Sequence, residues 1–504
     1  MTTALSIRHE VPWIPAVTLD GDLQTLTLQQ TFERAHELAE VVAEPLIWAA
    51  IMRFLPGVAA LITAEDPKVL DGAHITGFPQ TAIDRALNKV DDRLWLRHPD
   101  TPFMQDALIS ETGNSNTTEW LLNAAPAANS KAWWGKAGDR VHRDAGVPAR
   151  LAQGLVTAWF FDVGVSGKAL GYYTDDPDTG WRPRGVLGYH NHGLRVFHRG
   201  KNLAHTILAN TLHQHVIGRR TGAPLWAKPE GASPTDSPLT ASTWTGSTYL
   251  LEFDEDGNAV GVRTAGRRIP GAPTDPDERK KFISHIEKDI WRADPTIPRA
   301  PVMKAGEETG EVRPIRALHP TANSVQWVGE WYAADERRAA ARPMEPGLVG
   351  AAHSDVFSIL LEGERSGPEV AAYGRVRGLS EIASPRAHSR LASVSSLLVL
   401  PLRKILVGAL IKALGPDVAS PLHDKLFASF CLEAEPVLDD IIHADSLTRG
   451  QVTDFAAAAL RAFERFITPY WTSHTLAGKH SEGVAAAIGY LSDRVAAAVR
   501  EVKG

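Results

Sequence analysis

From about residue 385 onward the chain changes texture. Four alanine- and leucine-rich segments, near 387–414, 420–443, 447–471 and 481–502, are separated only by LGPDVAS, ADSLT and TLAGKH. Apolar residues recur at helical spacing in each segment, and connections this short force successive helices to run antiparallel. The pattern predicts an antiparallel four-helix bundle over 386–504, with Asp445 or Ser446, and Ser481 followed by Glu482, as N-caps. Thirteen of the 14 tryptophans precede residue 380, which makes the bundle a domain distinct from 1–380.

The first 380 residues read as mixed α and β with much loop, so the fold class expected for the whole chain is α+β: a large mixed α/β N-terminal domain followed by the bundle. Residues 23–64 carry apolar positions at three and four spacing, with Pro45 and Pro56 as breaks, and predict two helices. Further helices are expected over 79–92, 151–161 and 202–217. TYLLEFD and AVGVRTAG read as strands, and 353–376 as a β-hairpin closed by a Gly-Glu-Arg-Ser-Gly-Pro turn. Between 113 and 150 Gly, Asn, Ser, Lys and Ala dominate around Trp133 and Trp134, the composition of a long functional loop.

A chain of 504 residues with 44% apolar content supports on the order of two to four domains. No stretch approaches the roughly 18 consecutive apolar residues of a membrane span, and the N-terminus has no basic segment leading into an apolar run. The expectation is a soluble, cytoplasmic protein with no membrane partner. Cys431 is the single cysteine, which excludes an internal disulfide framework and multi-thiolate zinc. Its setting, KLFASFCLEAEP, is that of a packed small hydrophobe.

The net charge of −6 argues against an anionic partner, but its distribution does not. From Thr179 to Pro229 the chain has no Asp or Glu, where about six are expected from average usage. The same stretch holds Arg182, Arg184, Arg195, Arg199, Lys201, Arg219, Arg220 and Lys228 with six histidines. Such a segment reads either as a surface that meets phosphates or as an acid-poor structural one.

The turn GVSGKA, residues Gly164, Val165, Ser166, Gly167, Lys168 and Ala169, invites a nucleotide-binding reading and fails it. A phosphate loop needs four residues between its glycines and a hydroxyl after the lysine; here there are two residues and then Ala169. No dinucleotide fingerprint and no Gly-x-Ser-x-Gly elbow is present either. What remains is a tight backbone with exposed amides beside one charge, suited to a nucleic-acid backbone or groove, or an ordinary helix-terminating turn. His190, His192 and His198 pose an alternative, a metal-dependent hydrolase, although no HExxH motif or carboxylate ligand accompanies them. Nothing in the chain rises to a catalytic signature, and no cofactor or metal is expected. Basic and aromatic residues also mix in the loop of Asn129, Lys131, Trp133, Trp134, Lys136, Arg140 and Arg143, and in ERKKF at 278–282.

The order of these features is similar to one known family. Trp13-Ile14-Pro15, HPDTPFMQ at 98–105, a long loop, a helix ending in a glycine turn, RGKNLAHTILANTL, PLWAKP and a terminal helical bundle resemble the CasA family, the large subunit of the type I-E CRISPR Cascade complex. The resemblance spans essentially the whole chain and rests on order, since none of its pieces is catalytic. It implies a non-enzymatic subunit near the crRNA 5′ handle that contacts other Cascade subunits and reads the protospacer-adjacent motif in double-stranded target DNA. The subunit would then help open the duplex and recruit the helicase-nuclease effector of antiviral defence. Carried over by position, Gly164 to Gly167 with Lys168 look like the family's glycine loop, and Lys280 or Lys281 like its lysine finger. Arg182, Arg184, Arg195, Arg199 and Lys201 would add phosphate contacts, and the 129–143 loop would reach the RNA handle and a neighbouring subunit. Gly363, Glu364, Arg365, Ser366, Gly367 and Pro368 match the hairpin wedge, but the family's best-known wedge carries a glutamine and this turn has none, leaving Arg365 or the backbone to separate the strands. RNA-guided systems divide labour in this way, protein reading the motif and pairing reading the sequence.

Overall fold

The computed structural model describes residues 5–110, 114–116, 147–161, 193–212, 221–229, 231–267, 299–304, 307–314, 353–362, 369–376, 394–416, 420–443, 447–472 and 477–501, with scattered positions in 118–121 and 273–297. Contacts divide the chain into two compact units: Met1–Pro298 with Arg316–Pro320 and Arg342–Arg377, and Arg299–Ile315 with Thr321–Ala341 and Gly378–Gly504.

The first unit opens with a three-stranded antiparallel sheet in the order β2-β1-β3, formed by β1 (Ile14–Thr18), β2 (Leu23–Leu26) and β3 (Leu38–Val41), with α1 (Leu28–Glu33) between the last two. This corrects the helical reading of 23–44. Its three-and-four spacing is real, but Ile14–Thr18 offers a pairing partner, and tertiary pairing overrides local periodicity in so short a segment. Thr27 marks the switch from strand to helix. Its hydroxyl accepts from the Gln30 amide at 3.3 Å while the Gln30 side chain accepts from the Thr27 amide at 3.1 Å, a reciprocal cap.

Next come α2 (Pro45–Glu65), α3 (Val69–Thr76) and α4 (Gln80–Asn88). Pro45 occupies the first turn of α2, where its missing N–H costs nothing, as the sequence implies; Pro56 lies inside the helix and does not break it. α2 is buried on nearly every side, and this packing holds a helix that an interior proline would otherwise interrupt. Among the described residues it is the one helix long and apolar enough to cross a membrane, and it is the core helix of the first unit.

Further elements of the first unit are β4 (Asn114–Asn116), α5 (Pro148–Phe160), β5 (Gly193–Arg199), α6 (Leu203–Ala209), α7 (Pro238–Ser242), β6 (Ser247–Phe253) and β7 (Ala259–Gly266). β4 pairs with β7, and β7 with β6, so part of the expected 113–150 loop is strand. The second unit contributes β8 (Arg299–Lys304) and β9 (Glu307–Pro314), which pair only with each other among the described residues. A sequence boundary at 380 assigns them to the first domain, whereas contacts place them with the helical unit. β10 (His353–Glu362) and β11 (Glu369–Val376) form the expected antiparallel pair, from Val356↔Val376 to Glu362↔Glu369 with a register shift between Leu360 and Leu361, and β10 also pairs with β5.

Three sequence pieces that carry the resemblance meet at one residue of α2. The Phe54 ring lies 5.7 Å from Trp13, 5.7 Å from Phe103 and 5.1 Å from Trp226, centroid to centroid. Gln105 ties the same loop down, donating to the Leu96 carbonyl at 2.8 Å and accepting from the Leu251 amide at 2.7 Å. Asn202 caps α6 by accepting from the His205 amide at 2.9 Å, and donates to the His74 carbonyl of α3 at 2.8 Å. These motifs are packing devices.

Four packed helices complete the second unit: α8 (Leu400–Leu414), α9 (Ser420–His443), α10 (Arg449–Thr472) and α11 (Ala477–Glu501). Within the 387–414 segment the described residues begin at Val394 and pass through a π-helical turn at Ser395–Val399 into α8. Thr448 caps α10, its hydroxyl accepting from the Gln451 amide at 3.2 Å and the Gln451 side chain accepting from the Thr448 amide at 2.9 Å. α11 begins at Ala477, upstream of the expected cap at Ser481. Cys431 is a buried thiol of α9, a helix that also buries Phe427, Phe430 and Ala434. α8 and α11 run antiparallel in close approach: a Cβ on Gly408 would stand 2.9 Å from the Tyr490 hydroxyl, and one on Gly483 2.8 Å from the Ala413 carbonyl oxygen.

Gly483→Ala would drive a methyl into backbone that cannot rotate away, and a net loss of about 1–3 kcal/mol is expected despite better helix propensity. Thr448→Ala should cost about 1 kcal/mol through the lost cap. Thermal unfolding of both variants checks the pair, and an unchanged or raised midpoint for Gly483→Ala would contradict the close approach.

Candidate nucleic-acid interface

The residues singled out from the sequence divide into three groups. Gly164, Val165, Ser166, Gly167, Lys168, Arg182, Arg184, Lys280, the 363–368 turn, and Asn129, Lys131, Trp133, Trp134, Lys136, Arg140 and Arg143 lie outside the described residues, as do His190 and His192. Arg199, Lys201 and Lys281 are at the surface. Arg195 is not: its side chain is 2% exposed, so it is withdrawn from the set that meets DNA.

Arg199 ends β5 and reaches Glu40 of β3 at 3.5 Å. Lys201 follows at an exposed bend whose tightness Gly200 permits, because a Cβ there would overlap the His205 ring at 2.2 Å. The Lys201 amide donates to His205 Nδ1 at 3.2 Å, and the His205 ring lies 5.4 Å from that of His74. His198 exchanges hydrogen bonds with the Asn210 side chain, its amide donating at 2.9 Å and its carbonyl accepting at 2.7 Å. These two histidines work in packing and turn formation. Among the described residues no group of three His, Cys, Asp or Glu is placed to hold a metal ion.

Lys281 stands on a short helical segment that Asp275 starts by accepting from the amides of Asp277 and Glu278 at 3.0 and 2.9 Å. Phe282, Ile286 and Ile290, at successive intervals of four, pack into the core of the first unit and leave Lys281 outward. Further along the chain, the Asp294 amide donates to the Ile290 carbonyl at 3.0 Å.

Asp294 is the centre of a buried charge cluster. Its Oδ2 accepts from Arg53 of α2 at 2.6 Å and from Arg195 of β5 at 3.4 Å, and its Oδ1 accepts from the Thr296 amide and hydroxyl at 2.9 and 2.6 Å. Arg53 also donates to the carbonyls of Phe160 at 2.8 Å and Ser242 at 2.9 Å, and its guanidinium lies 4.8 Å from the Phe160 ring centroid. Burial pushes both guanidiniums below the usual arginine range, Arg195 to about 9, while the Asp294 carboxylate opposes the shift. Arg195 therefore stays charged at neutral pH. At Arg195 the folded state binds fewer protons than the unfolded as pH rises through about 9, so its contribution to stability changes with pH on the alkaline side of neutrality.

The acid-free stretch is thus not acid-free in space: Asp294 serves Arg195 and Glu40 serves Arg199. Counting charges along the chain misses both pairings, because each acid comes from a distant segment. The detectable signal was Arg53, a lone charge inside an apolar helix, which requires a buried partner. Of this set, Lys201 and Lys281 are the exposed cations among the described residues.

The model of the CRISPR-associated protein Cse1 family matches residues 10–342. A curated relative, the CRISPR-associated protein CasA/Cse1 of Thermus thermophilus, is 38% identical over 104 residues; the match spans only 20% of either chain. The fold is similar along the full length to the crystal structure of Cse1 from Acidimicrobium ferrooxidans, with a TM-score of 0.66 at 17% identity over 100% of this chain and 99% of that one. It is also similar to a chain of a CRISPR RNA-guided surveillance complex, with a TM-score of 0.65 at 16% identity over 97% and 99%. With its family model matched over more than half its length, the chain belongs to the CRISPR-associated Cse1 family.

Proposed function

We propose that the chain is the non-catalytic large subunit of a type I-E CRISPR RNA-guided surveillance complex, acting in the cytoplasm. The observation that carries this reading is the family match over 10–342, supported by a fold shared end to end with a chain of such a complex. In this role the first unit meets double-stranded target DNA and the crRNA 5′ handle, and the helical unit, as an antiparallel bundle, contacts other subunits.

Motif reading falls to Gly164–Gly167 with Lys168 and to Lys280 or Lys281, and strand separation to the 363–368 turn. Of these Lys281 is described, and its exposed place on an otherwise anchored segment supports the assignment. Lys201 and Arg199 add charge that holds phosphate without reading sequence. Minor-groove readout is degenerate, which fits a permissive motif. Recruitment of a helicase-nuclease follows, with cleavage performed by that partner.

The test is to assemble the complex with and without this chain and measure binding to duplexes of varied motif at several salt concentrations. Motif preference should vanish without the chain. Lys168→Ala and Lys281→Ala should relax it, and Lys201→Ala should weaken all sequences alike and lower the salt slope by about one. A motif preference that survives omission of the chain would sink the proposal.

A further inference from the structure

Pro56 stands inside α2 and carries no N–H, so the carbonyl four residues back, at Met52, loses its helical donor. Both residues line a cavity of about 30 Å³, together with Arg53 and Gly57 of the same helix. Much of the remaining wall is polar: Asn210, Ser242, Thr243, Asp294 and Thr296 reach it from three distant parts of the chain.

The hydrogens of these polar groups are already committed. The Asn210 side chain donates to the carbonyls of His198 and Thr206, both at 2.7 Å. The hydroxyls of Ser242 and Thr243 donate to the Leu239 carbonyl at 3.2 and 2.6 Å, and that of Thr296 donates to Asp294 Oδ1 at 2.6 Å. What the four side chains still have for a ligand is lone pairs. Arg53 and Asp294 add both signs of charge, held together at 2.6 Å and buried.

We propose that this cavity is the site of an ordered water molecule, which donates to the Met52 carbonyl in place of the N–H that Pro56 lacks. Size, charge and hydrogen bonding all select that ligand. A water needs about 10–15 Å³ of such space. A cavity of about 30 Å³ therefore admits one or two waters and no phosphate or organic group. A lone ion of either sign would meet its like at the Arg53–Asp294 pair. Among lone pairs the ligand has to donate, and water brings two hydrogens. Cavities that stay dry are lined by apolar groups, and this one is not. The packing around α2 holds the helix in shape, but it gives the freed carbonyl no donor, and a buried carbonyl without one is destabilising. The water supplies what packing cannot, and so belongs to the helix as much as Pro56 does.

Crystals of the full-length chain that diffract well enough to show ordered solvent test this directly. Wild type should show a solvent peak about 2.7–3.2 Å from the Met52 carbonyl oxygen and within the same range of at least one further lining oxygen. In Pro56→Ala the restored amide should bond that carbonyl at about 2.9 Å, and the water should lose the contact. Wild-type crystals pressurised with xenon, which enters dry apolar cavities, should show no xenon here. A wild-type cavity without a solvent peak, a xenon atom inside it, or a peak that keeps its distance to the Met52 carbonyl in Pro56→Ala overturns the proposal.

Discussion

A guanidinium in the middle of a helix buried on every side has to find its counter-charge inside the fold. Arg53 finds it in Asp294, and much of the first unit is arranged around that requirement. Removing one member of a buried pair of this kind costs about 3–5 kcal/mol, against a typical total stability of about 5–15 kcal/mol for a domain. The same side chain satisfies the carbonyls at the ends of α5 and α7, groups that helix termini leave without intrahelical partners. One polar residue therefore joins the central helix to two helix ends, and through Asp294 to β5.

Beside Arg53, Phe54 gathers Trp13, Phe103 and Trp226. The short motifs by which the family is recognised thus converge on a core contact, and the glutamine and asparagine within them cap backbone. Recognising the family from these residues is recognising a fold. The parts that meet nucleic acid must be argued separately, from charge, exposure and anchoring.

Elements with strong local signals were legible in the sequence. The helical unit, the β6–β7 pair and the β10–β11 hairpin all follow from periodicity and turn chemistry. The misreadings share a cause. Residues 23–44 look helical until Ile14–Thr18 is available to pair with them, Pro56 looks like a break until the packing around α2 is known, and Arg195 looks like a phosphate ligand until Asp294 arrives from ninety-nine residues away. In each case a non-local partner outweighs a local preference. For the candidate site, the exposed position of Lys281 was legible as a basic run, while its anchoring by Ile286 and Ile290 was not.

The separation between Arg53 and Asp294 also sets an order of events. The two lie 241 residues apart in the chain. At synthesis rates of about 5–20 residues per second, tens of seconds pass between the emergence of α2 and that of its counter-charge. Until α5 and the later segments emerge, a helix long and apolar enough for a bilayer lacks part of the packing that will enclose it. Arg53 at its middle makes insertion less favourable by about 2.5–3.5 kcal/mol, so the residue that later binds the core together also weighs against the wrong solvent.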